Sequence, residues 1–521
     1  MVNFGHSGSS NFPALGRDGE SGAMKIDWIE VVAVLAAAGI LIFLLFVPPI
    51  IGLANDGDFQ RIIAAFSLGA VDTQDEFKYI NTPLEFNGRH YLKGTFDSSE
   101  HYVAFVAIAI DSMVHRQGGE FDLRAIGLVH GAIYLMAFAL ALRLTRGAKV
   151  WARAGAIGVL LLVSMDVLYV SQMNAFYQDT AALIFLALSA ALVCRVLTYQ
   201  RRRDAIGLVI ALLLLAASKT QHAPLLFPVL VLLCWLRGRL LPGLSDWVRA
   251  ASIAAILVVS LFTFRGSQEA YRTVPLFSEI FYRVLPPARD PLPELRELGL
   301  DESYRKYIGM HGYSEGAPAT DADFSRQFLS RTSHLRLAFF LVRHPARAWR
   351  LLKEGLSEIG AQRPFMGNYE RRTGKPETSM SRAFSLWSGM KRGAFEGRGR
   401  LYLAYVTVLS GLFGWLLWTR RRVLPEGSFY AGVTLMVVVW LAMAIGILGD
   451  GTDTIRHSLL FTALNDLMFV CTAMVAIMCP RNGRGSLVLH RGNVGGNGVA
   501  TRWTTRSRPL RDGYNLERIF A

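Results

Sequence analysis

Charge is scarce in this chain. Asp, Glu, Lys and Arg make up only 18% of its 521 residues, whereas 52% are hydrophobic and the mean hydropathy is +0.32. Soluble globular proteins carry about 25% charged residues. The composition therefore argues against an ordinary soluble protein and predicts a polytopic membrane protein.

Cysteine is rare as well, and familiar catalytic motifs are missing. The four cysteines, Cys194, Cys234, Cys471 and Cys479, lie inside or beside apolar runs, which favours packing over a disulfide framework. The sequence contains no Walker A motif, no GxGxxG after a strand, no HExxH, no CxxC pair and no internal repeat. Function must therefore be inferred from the apolar runs and the polar residues between them.

Long apolar runs are the dominant feature of the sequence. A helix needs about 20 apolar residues to cross the hydrocarbon of a membrane. Runs that meet or approach this length begin near Trp28, Arg124, Val150, Thr180, Ala205, Pro224, Arg249, Leu401, Phe429 and Ser458. We therefore predict an all-α polytopic membrane protein with about ten transmembrane helices. The fifth and sixth runs are separated only by residues 218–222, so they either form a tight hairpin or are individually short.

The basic residues give an orientation. Clusters of Arg and Lys follow the second, fourth, sixth and eighth runs, whereas the alternate short loops carry little besides Lys219 and Arg456. The positive-inside rule then places both termini in the cytoplasm and the protein in the cytoplasmic, or inner, membrane. This topology explains the net charge of +15. We therefore predict membrane lipids as partners and no nucleic acid.

The predicted domain organisation follows from these runs. Residues 1–27 form a disordered cytoplasmic tail, and residues 28–265 form a transmembrane module whose first external loop is 55–123. Within that loop, residues 101–114 are apolar but too short to span, which predicts a juxtamembrane helix. Residues 266–400 form a small external helical domain, residues 401–479 the C-terminal transmembrane helices, and residues 480–521 a basic cytoplasmic tail.

Polar residues gather in the connections on the predicted outer side. Ionisable groups at the edge of a bilayer are costly unless they are paired or functional, so we expect five connections to meet in one pocket. The candidate catalytic residues are Asp56 and Asp58. The candidate substrate-binding residues are Glu100, His101, Tyr177, Asp179, Lys219, Gln221, His222, Arg456 and His457.

Each candidate also has a structural interpretation. Asp56 or Asp58 could cap the next helix, and Lys219 could extend to lipid headgroups. Tyr177 fits an aromatic belt at the membrane surface better than a substrate contact. Asp166 and Asp466, which lie within apolar runs, are functional candidates by default, although each could only bind a neighbouring helix.

The segment Asp56-Gly57-Asp58 directly after the first run, with the predicted helix 101–114, resembles the acidic motif and juxtamembrane helices of the GT-C superfamily of membrane glycosyltransferases. The segment 174–179 is similar to their second acidic site, and residues 218–222 are similar to their basic turn. The resemblance implies a polyprenyl-phosphate sugar as donor, a glycan or lipid-linked acceptor, inversion at the sugar carbon and Asp58 or Asp56 as general base. Some members require a divalent metal, so Mg²⁺ or Mn²⁺ is a candidate cofactor.

Two other functions remain open at this stage. An O-antigen polymerase or ligase has a similar number of spans and relies on Arg and His in a late external loop, for which Arg343-His344 and Arg371-Arg372 are candidates. A glycolipid transporter would instead spread polar residues through the membrane midplane and show paired repeats.

Overall fold

The computed structural model describes residues 27–70, 77–80, 83–86, 97–114, 119–266 and 269–479. The predicted C-terminal tail, and all but one residue of the predicted N-terminal tail, lie outside these ranges. The α-helices in the first half are α1 (Trp28–Leu45), α2 (Gln60–Ile63), α3 (Glu100–Val114), α4 (Arg124–Leu142), α5 (Val150–Ser164), α6 (Val167–Val170), α7 (Gln178–Tyr199), α8 (Arg202–Ala216), α9 (Leu226–Trp235), α10 (Arg237–Leu240) and α11 (Asp246–Arg265).

The second half is also helical. Its α-helices are α12 (Glu269–Ser278), α13 (Leu292–Glu297), α14 (Ala322–Arg331), α15 (His334–Arg343), α16 (Pro345–Ile359), α17 (Leu386–Phe395), α18 (Gly399–Arg420), α19 (Ser428–Leu448), α20 (Thr454–His457) and α21 (Leu459–Met478). Short 3-10 segments lie at Ala64–Phe66, Arg143–Thr145, Thr220–Leu225, Glu302–Tyr307 and Arg371–Thr373, and a π-helical turn lies at Glu279–Val284.

All ten predicted runs are helical, but not all are long. Among the described residues, seven helices are long and apolar enough to cross a membrane: α1, α4 with its 3-10 extension, α7, α11, α18, α19 and α21. The other three runs form α5, α8 and the segment Thr220–Trp235, each shorter than 18 residues. The run that begins at Val150 is cut because Asp166 starts a new helix, where its Oδ1 accepts the N–H of Leu168 at 2.9 Å.

Helix α1 has one face that packs on the protein and another face that suits lipid. Ala33, Ala37 and Leu41 recur every four residues and are buried, and α1 packs against α4. Val32 and Leu35 on the other face are more than 60% exposed. Since these exposed side chains are apolar, they suit a surface that faces lipid.

The loop after α1 departs from the all-α prediction. Strands β1 (Leu68–Ala70), β2 (Leu84–Phe86) and β3 (Glu120–Phe121) form a small antiparallel sheet in the order β1-β2-β3. Leu68 pairs with Phe86, and Glu85 pairs with Glu120. Strands of two or three residues are too short for an alternating pattern to show in the sequence. Helix α3, in contrast, begins within one residue of the predicted position, and the N–H of Glu100 donates to Ser98 Oγ at 3.2 Å.

Residues 269–359 form a helical layer, and the buried residues between Val274 and Leu351 give it a core of its own. Phe277, Phe281 and Phe328 are buried at its centre. Helix α16 of this layer packs on α18 and α19. Gly355 in α16 lies so close to Ile447 in α19 that a Cβ at position 355 would be 2.4 Å from Cγ2 of Ile447. The predicted helical content of this region is thus observed, and its role as an external domain stays a prediction.

The two aspartates within apolar runs have structural partners. Asp466 accepts a hydrogen bond from Tyr169 Oη at 2.6 Å and from Lys391 Nζ at 2.7 Å. Asp166 accepts the N–H of Ser388 at 2.9 Å. Both aspartates therefore attach the 386–395 helix to the transmembrane bundle, which favours the structural interpretation of the two residues.

Candidate functional site

Two carboxylates beside α1 meet an arginine from the C-terminal part of the chain. Nη1 of Arg456 contacts Oδ2 of Asp56 and lies 2.6 Å from Oδ2 of Asp58. Nε of the same guanidinium lies 2.8 Å from Oδ2 of Asp453. Arg456 is only 7% exposed. Three carboxylates from two distant connections thus surround one buried cation.

The local sequence explains how both aspartates reach one arginine. Asn55 Oδ1 accepts the N–H groups of Gly57 at 2.8 Å and Phe59 at 3.1 Å, and Asp56 Oδ1 accepts the N–H of Asp58 at 3.0 Å. Gly57 has φ +96°, a left-handed conformation that glycine adopts without strain. The side-chain oxygens hold the turn, and the turn brings Asp56 and Asp58 to the same side.

A second charged pair joins the start of α7 to the predicted hairpin that follows α8. Lys219 Nζ donates to both carboxylate oxygens of Asp179, at 2.8 and 3.0 Å, and both residues are buried. His222 Nε2 lies 3.7 Å from the same carboxylate, and neither ring nitrogen has a hydrogen-bond partner within the described residues. Gln221 Nε2 donates to the carbonyl of His457 at 3.1 Å, which joins this hairpin to the connection that carries Arg456.

His457 connects Arg456 to a further carboxylate. Its Nδ1 lies 2.8 Å from Asp450 Oδ2, and its Nε2 lies 3.1 Å from Nη2 of Arg456. A proton on Nδ1 would face Asp450 and leave Nε2 as the acceptor for the guanidinium. The imidazole therefore contacts Nη2 of Arg456, whereas Asp56 and Asp58 share Nη1.

Tyr177 is part of the cluster and not of a surface belt. It is 1% exposed, and its hydroxyl donates to the carbonyl of Ala54 at 2.6 Å while accepting the N–H of Asp56 at 3.1 Å. Its ring centroid lies 5.3 Å from the guanidinium carbon of Arg456. The aromatic-belt interpretation is wrong, because Tyr177 is buried in the protein and its hydroxyl contacts two backbone groups.

Glu100 and His101 have other partners. Glu100 is fully buried and lies 3.1 Å from His130 Nε2, and His130 Nδ1 contacts the carbonyl of Met173 at 2.8 Å. His101 Nδ1 lies 3.2 Å from the carbonyl of Ser98. The contact of Glu100 with His130 joins α3 to α4, and a substrate-binding role for Glu100 or His101 stays a prediction.

The two candidate bases differ in their electrostatic surroundings. Burial alone would raise the pKa of Asp58, but Arg456 and Arg61, whose Nη2 lies 2.6 Å from its Oδ1, hold that pKa well below its usual range. For Asp56, burial outweighs Arg456 and raises the pKa. A carboxylate shared by two guanidiniums is a weak base, so Asp56 is the better proton acceptor of the pair.

Sequence reasoning missed Arg61. Its guanidinium carbon lies 4.4 Å from the ring centroid of Tyr271, so it joins Asp58 to α12. Asp58 and Arg61 are three residues apart at the start of a helix, a spacing typical of ion pairs, and this signal could have identified the arginine. His130 was also missed, because a single histidine in an apolar run is ordinary.

The donor set does not fit a divalent metal. In the part of the chain that the structure describes, no group of three or more His, Cys, Asp or Glu residues is arranged to hold a metal ion. Asp56, Asp58 and Asp453 all contact a guanidinium instead. We therefore derive no chemical step through Mg²⁺ or Mn²⁺.

Comparison with protein families identifies the family. The model for the YfdI N-terminal transmembrane domain matches residues 20–486. The chain belongs to this family. The family description and the seven long apolar helices together make this YfdI-type domain a multi-pass membrane protein. No curated protein sequence matches the chain.

Two solved structures from Archaeoglobus fulgidus align with this YfdI-type chain. The apo oligosaccharyltransferase is 14% identical with a TM-score of 0.35. The oligosaccharyltransferase AglB in complex with an inhibitory peptide and a dolichol-phosphate is 15% identical with a TM-score of 0.32. Each alignment covers 86% of this chain and 50% of the other, so the chain spans half the length of those proteins. Similarity at this level carries no argument about activity.

Proposed function

We propose that this protein is a membrane glycosyltransferase. It would move a sugar from a polyprenyl-phosphate donor to a glycan or glycolipid acceptor on the outer face of the cytoplasmic membrane, with inversion at the sugar carbon. The observation that supports this most is the contact of Asp56 and Asp58 with Arg456. A proton acceptor and a cation for the departing phosphate are the two parts that such a transfer needs.

Asp56 is the proposed base. The hydroxyl oxygen of the acceptor attacks the anomeric carbon of the donor sugar, and the hydroxyl proton passes to the carboxylate of Asp56. The bond between the anomeric carbon and the phosphate oxygen breaks, and its electron pair leaves on the polyprenyl phosphate. Asp58 positions Arg456 and Arg61 while this happens, because each of its oxygens contacts one guanidinium.

Arg456 and Lys219 are the proposed phosphate-binding cations. Both are buried and both are held by carboxylates, so they need little reorganisation as charge develops on the leaving phosphate. His222, with two ring nitrogens that lack hydrogen-bond partners among the described residues, is a further donor for a phosphate oxygen. A buried polar group without a partner favours a role with a ligand.

The orientation and the helical layer complete the proposal. The positive-inside rule puts the connections that carry Asp56, Lys219 and Arg456 on the outer side, with both termini inside. Arg283 in the helical layer donates to Thr454 Oγ1 at 3.1 Å, and Thr454 lies two residues before Arg456. We assign acceptor selection to this layer because it adjoins the proposed phosphate site.

The polymerase or ligase alternative depends on two pairs, Arg343-His344 and Arg371-Arg372. His344 Nε2 lies 2.8 Å from Glu297, and Arg343 lies 3.4 Å from the same carboxylate. No contact within the described residues joins this trio to Asp56 or Arg456. The transferase proposal is favoured because its proposed base, Asp56, is in contact with one of its proposed cations, Arg456.

An in vitro assay tests the proposal. Purified protein in nanodiscs is incubated with a panel of polyprenyl-phosphate sugars and candidate glycan acceptors, and sugar transfer is followed by mass spectrometry. The proposal expects transfer from at least one donor, with release of polyprenyl phosphate and inverted product. In a parallel assay with the protein in sealed liposomes, movement of intact glycolipid across the bilayer without chemical change would support a transporter instead.

A further inference from the structure

Helix α15 of the helical layer is apolar on two opposite faces. Three of its side chains are buried in the core of the layer: Leu337, Phe340 and Leu341. On the other face, Leu335, Phe339 and Val342 recur every three or four residues and are 66%, 58% and 77% exposed. A helix that is apolar on both sides needs apolar surroundings on both sides. One face of α15 is left uncovered by the part of the chain that the structure describes.

Helix α14, which precedes α15 in the same layer, exposes a different kind of surface. It also buries one face in the core, with Phe328 at the centre. Its exposed side chains include Asp323, Arg326 and Gln327, which are all polar. Two consecutive helices of ten residues each thus present a polar and an apolar outer face. The outer face of α15 is therefore unlike the water-facing surface of its neighbour, and a contiguous apolar surface of this kind marks an interaction site.

Helix α15 begins at the end of a membrane helix. Its first residue, His334, contacts the backbone of Gly449, which directly follows α19. Leu448, the last residue of α19, packs against the core of the helical layer. The positive-inside rule places this end of α19 on the outer side. The start of α15 is therefore at the depth at which α19 leaves the hydrocarbon.

Two arginines border the uncovered apolar face. Arg336 and Arg343 are seven residues apart, which is about two helical turns, so they lie on the same side of α15. Together with Leu335 and Phe339 they line a groove of about 420 Å³. The side chain of Arg343 is 71% exposed, although its Nη1 lies 3.4 Å from Glu297. Guanidinium groups at the edge of an apolar face match the phosphates at the edge of a lipid layer.

We propose that α15 is an interfacial helix that holds the helical layer on the outer surface of the membrane. Leu335, Phe339 and Val342 enter the boundary between headgroups and hydrocarbon, and Arg336 and Arg343 bind lipid phosphates. A second copy or another protein would also cover an apolar face, but the start of α15 at the end of α19 and its arginine border favour lipid. The inference gives Arg343 a role outside the reaction, and it holds whether or not the protein transfers a sugar.

Spin labels on two consecutive helices test the inference. The full-length protein, with its four cysteines replaced by alanine, receives a nitroxide at Phe339→Cys on α15 or at Gln327→Cys on α14, and each variant is reconstituted in nanodiscs that contain phosphatidylglycerol. Collisions of the nitroxide with O₂, which concentrates in hydrocarbon, and with a water-soluble nickel chelate are measured by electron paramagnetic resonance. We expect the label at 339 to collide mainly with O₂ and the label at 327 mainly with the nickel chelate.

The other results of this experiment would overturn the inference. A label at 339 that meets the nickel chelate as often as the label at 327 would mean that α15 faces water. A label at 339 that is shielded from both reagents would mean that protein, and not lipid, covers the face.

Hydrogen exchange in nanodiscs provides a second test that keeps the native cysteines. Phe339→Asp places a charge on the proposed lipid-facing side, and Gln327→Asp is the matched control on α14. Both side chains are exposed, so neither change disturbs the core of the layer. We expect the amides of residues 334–343 to exchange about tenfold faster or more in Phe339→Asp, because the contact with lipid is lost. The amides of residues 322–331 should change less than about threefold in Gln327→Asp. Equal exchange of α15 in Phe339→Asp and the wild type would contradict the inference.

The inference and the proposed function fail separately, because neither test uses a donor or an acceptor. A label at 339 in lipid with no transfer from any donor would refute the transferase and support the interfacial helix. Transfer with a label at 339 in water would support the transferase and refute the interfacial helix.

Discussion

Asp58 and Arg456 are 398 positions apart in the chain, yet Oδ2 of the aspartate lies 2.6 Å from Nη1 of the arginine. The aspartate follows the first membrane helix, and the arginine precedes the last. This ion pair therefore connects the end of the first membrane helix to the start of the last one, and it is also part of the proposed site.

Substitution of Arg456 tests whether the positive charge alone is enough or the planar shape of the guanidinium is also needed. Arg456→Lys keeps one positive charge but loses the planar group that contacts Asp56, Asp58 and Asp453 together. We expect kcat/KM for the donor to fall about 100-fold, because positioned cations stabilise the leaving phosphate. Arg456→Ala should also lower the unfolding free energy by about 3–5 kcal/mol, because buried carboxylates lose their partner. Normal donor kinetics in Arg456→Lys would contradict the phosphate role.

Asp58 should make stability depend on pH. Its pKa in the folded protein is well below the usual range because of Arg456 and Arg61, although burial opposes them. A group with a lowered folded-state pKa contributes stability above its unfolded pKa of about 3.9, and this contribution is lost as the pH falls toward the folded value. The difference in melting temperature between the wild type and Asp58→Asn should therefore be constant near neutral pH and shrink below about pH 4. A difference that stays the same down to pH 3 would show that the ion pairs do not stabilise the fold.

Lys219 and Lys391 form a matched pair for testing function against structure. Both are buried lysines that pair with an aspartate, Asp179 and Asp466 respectively. Lys219→Met and Lys391→Met should destabilise the protein by similar amounts, about 3–5 kcal/mol. Only Lys219→Met should raise the donor KM, roughly tenfold or more, since a hydrogen bond to a charged group contributes about 1.5–3 kcal/mol. Equal donor KM values in the two variants would remove Lys219 from the phosphate site.

Chelation tests whether the proposed transfer needs a divalent metal ion. Since the three carboxylates contact the guanidinium, transfer should remain within about twofold of its initial rate after dialysis against EDTA. A loss that Mn²⁺ or Mg²⁺ restores would mean that a metal ion displaces Arg456 from Asp56 and Asp58 during the reaction.

Much of the fold follows from the sequence because helices that lie in a membrane need long apolar runs, and these runs are visible in the sequence. The ten apolar runs are all helical, and the two runs that meet at residues 218–222 are individually short, which is one of the two alternatives that the sequence left open. The run from Val150 became a shorter helix because Asp166 caps a new one. The small sheet was not foreseen, since its strands contain only two or three residues each.

The site was predictable as a set of residues but not as a set of contacts. The sequence was enough to assign Asp56, Asp58 and Arg456 to one site, because each lies next to an apolar run on the predicted outer side of the membrane. The burial of Tyr177 and the pairing of Glu100 with His130 could not be inferred, because contacts between distant helices leave no local period in the sequence. The division of roles between Asp56 and Asp58 required the position of Arg61.

The most direct test of the account is the transfer rate of Asp56→Asn at saturating donor and acceptor. The amide cannot accept the hydroxyl proton, so kcat should fall about 1,000-fold, while binding of polyprenyl monophosphate stays within about twofold of the wild-type value. A wild-type kcat for Asp56→Asn would contradict the account, because the reaction would then proceed without its proposed base.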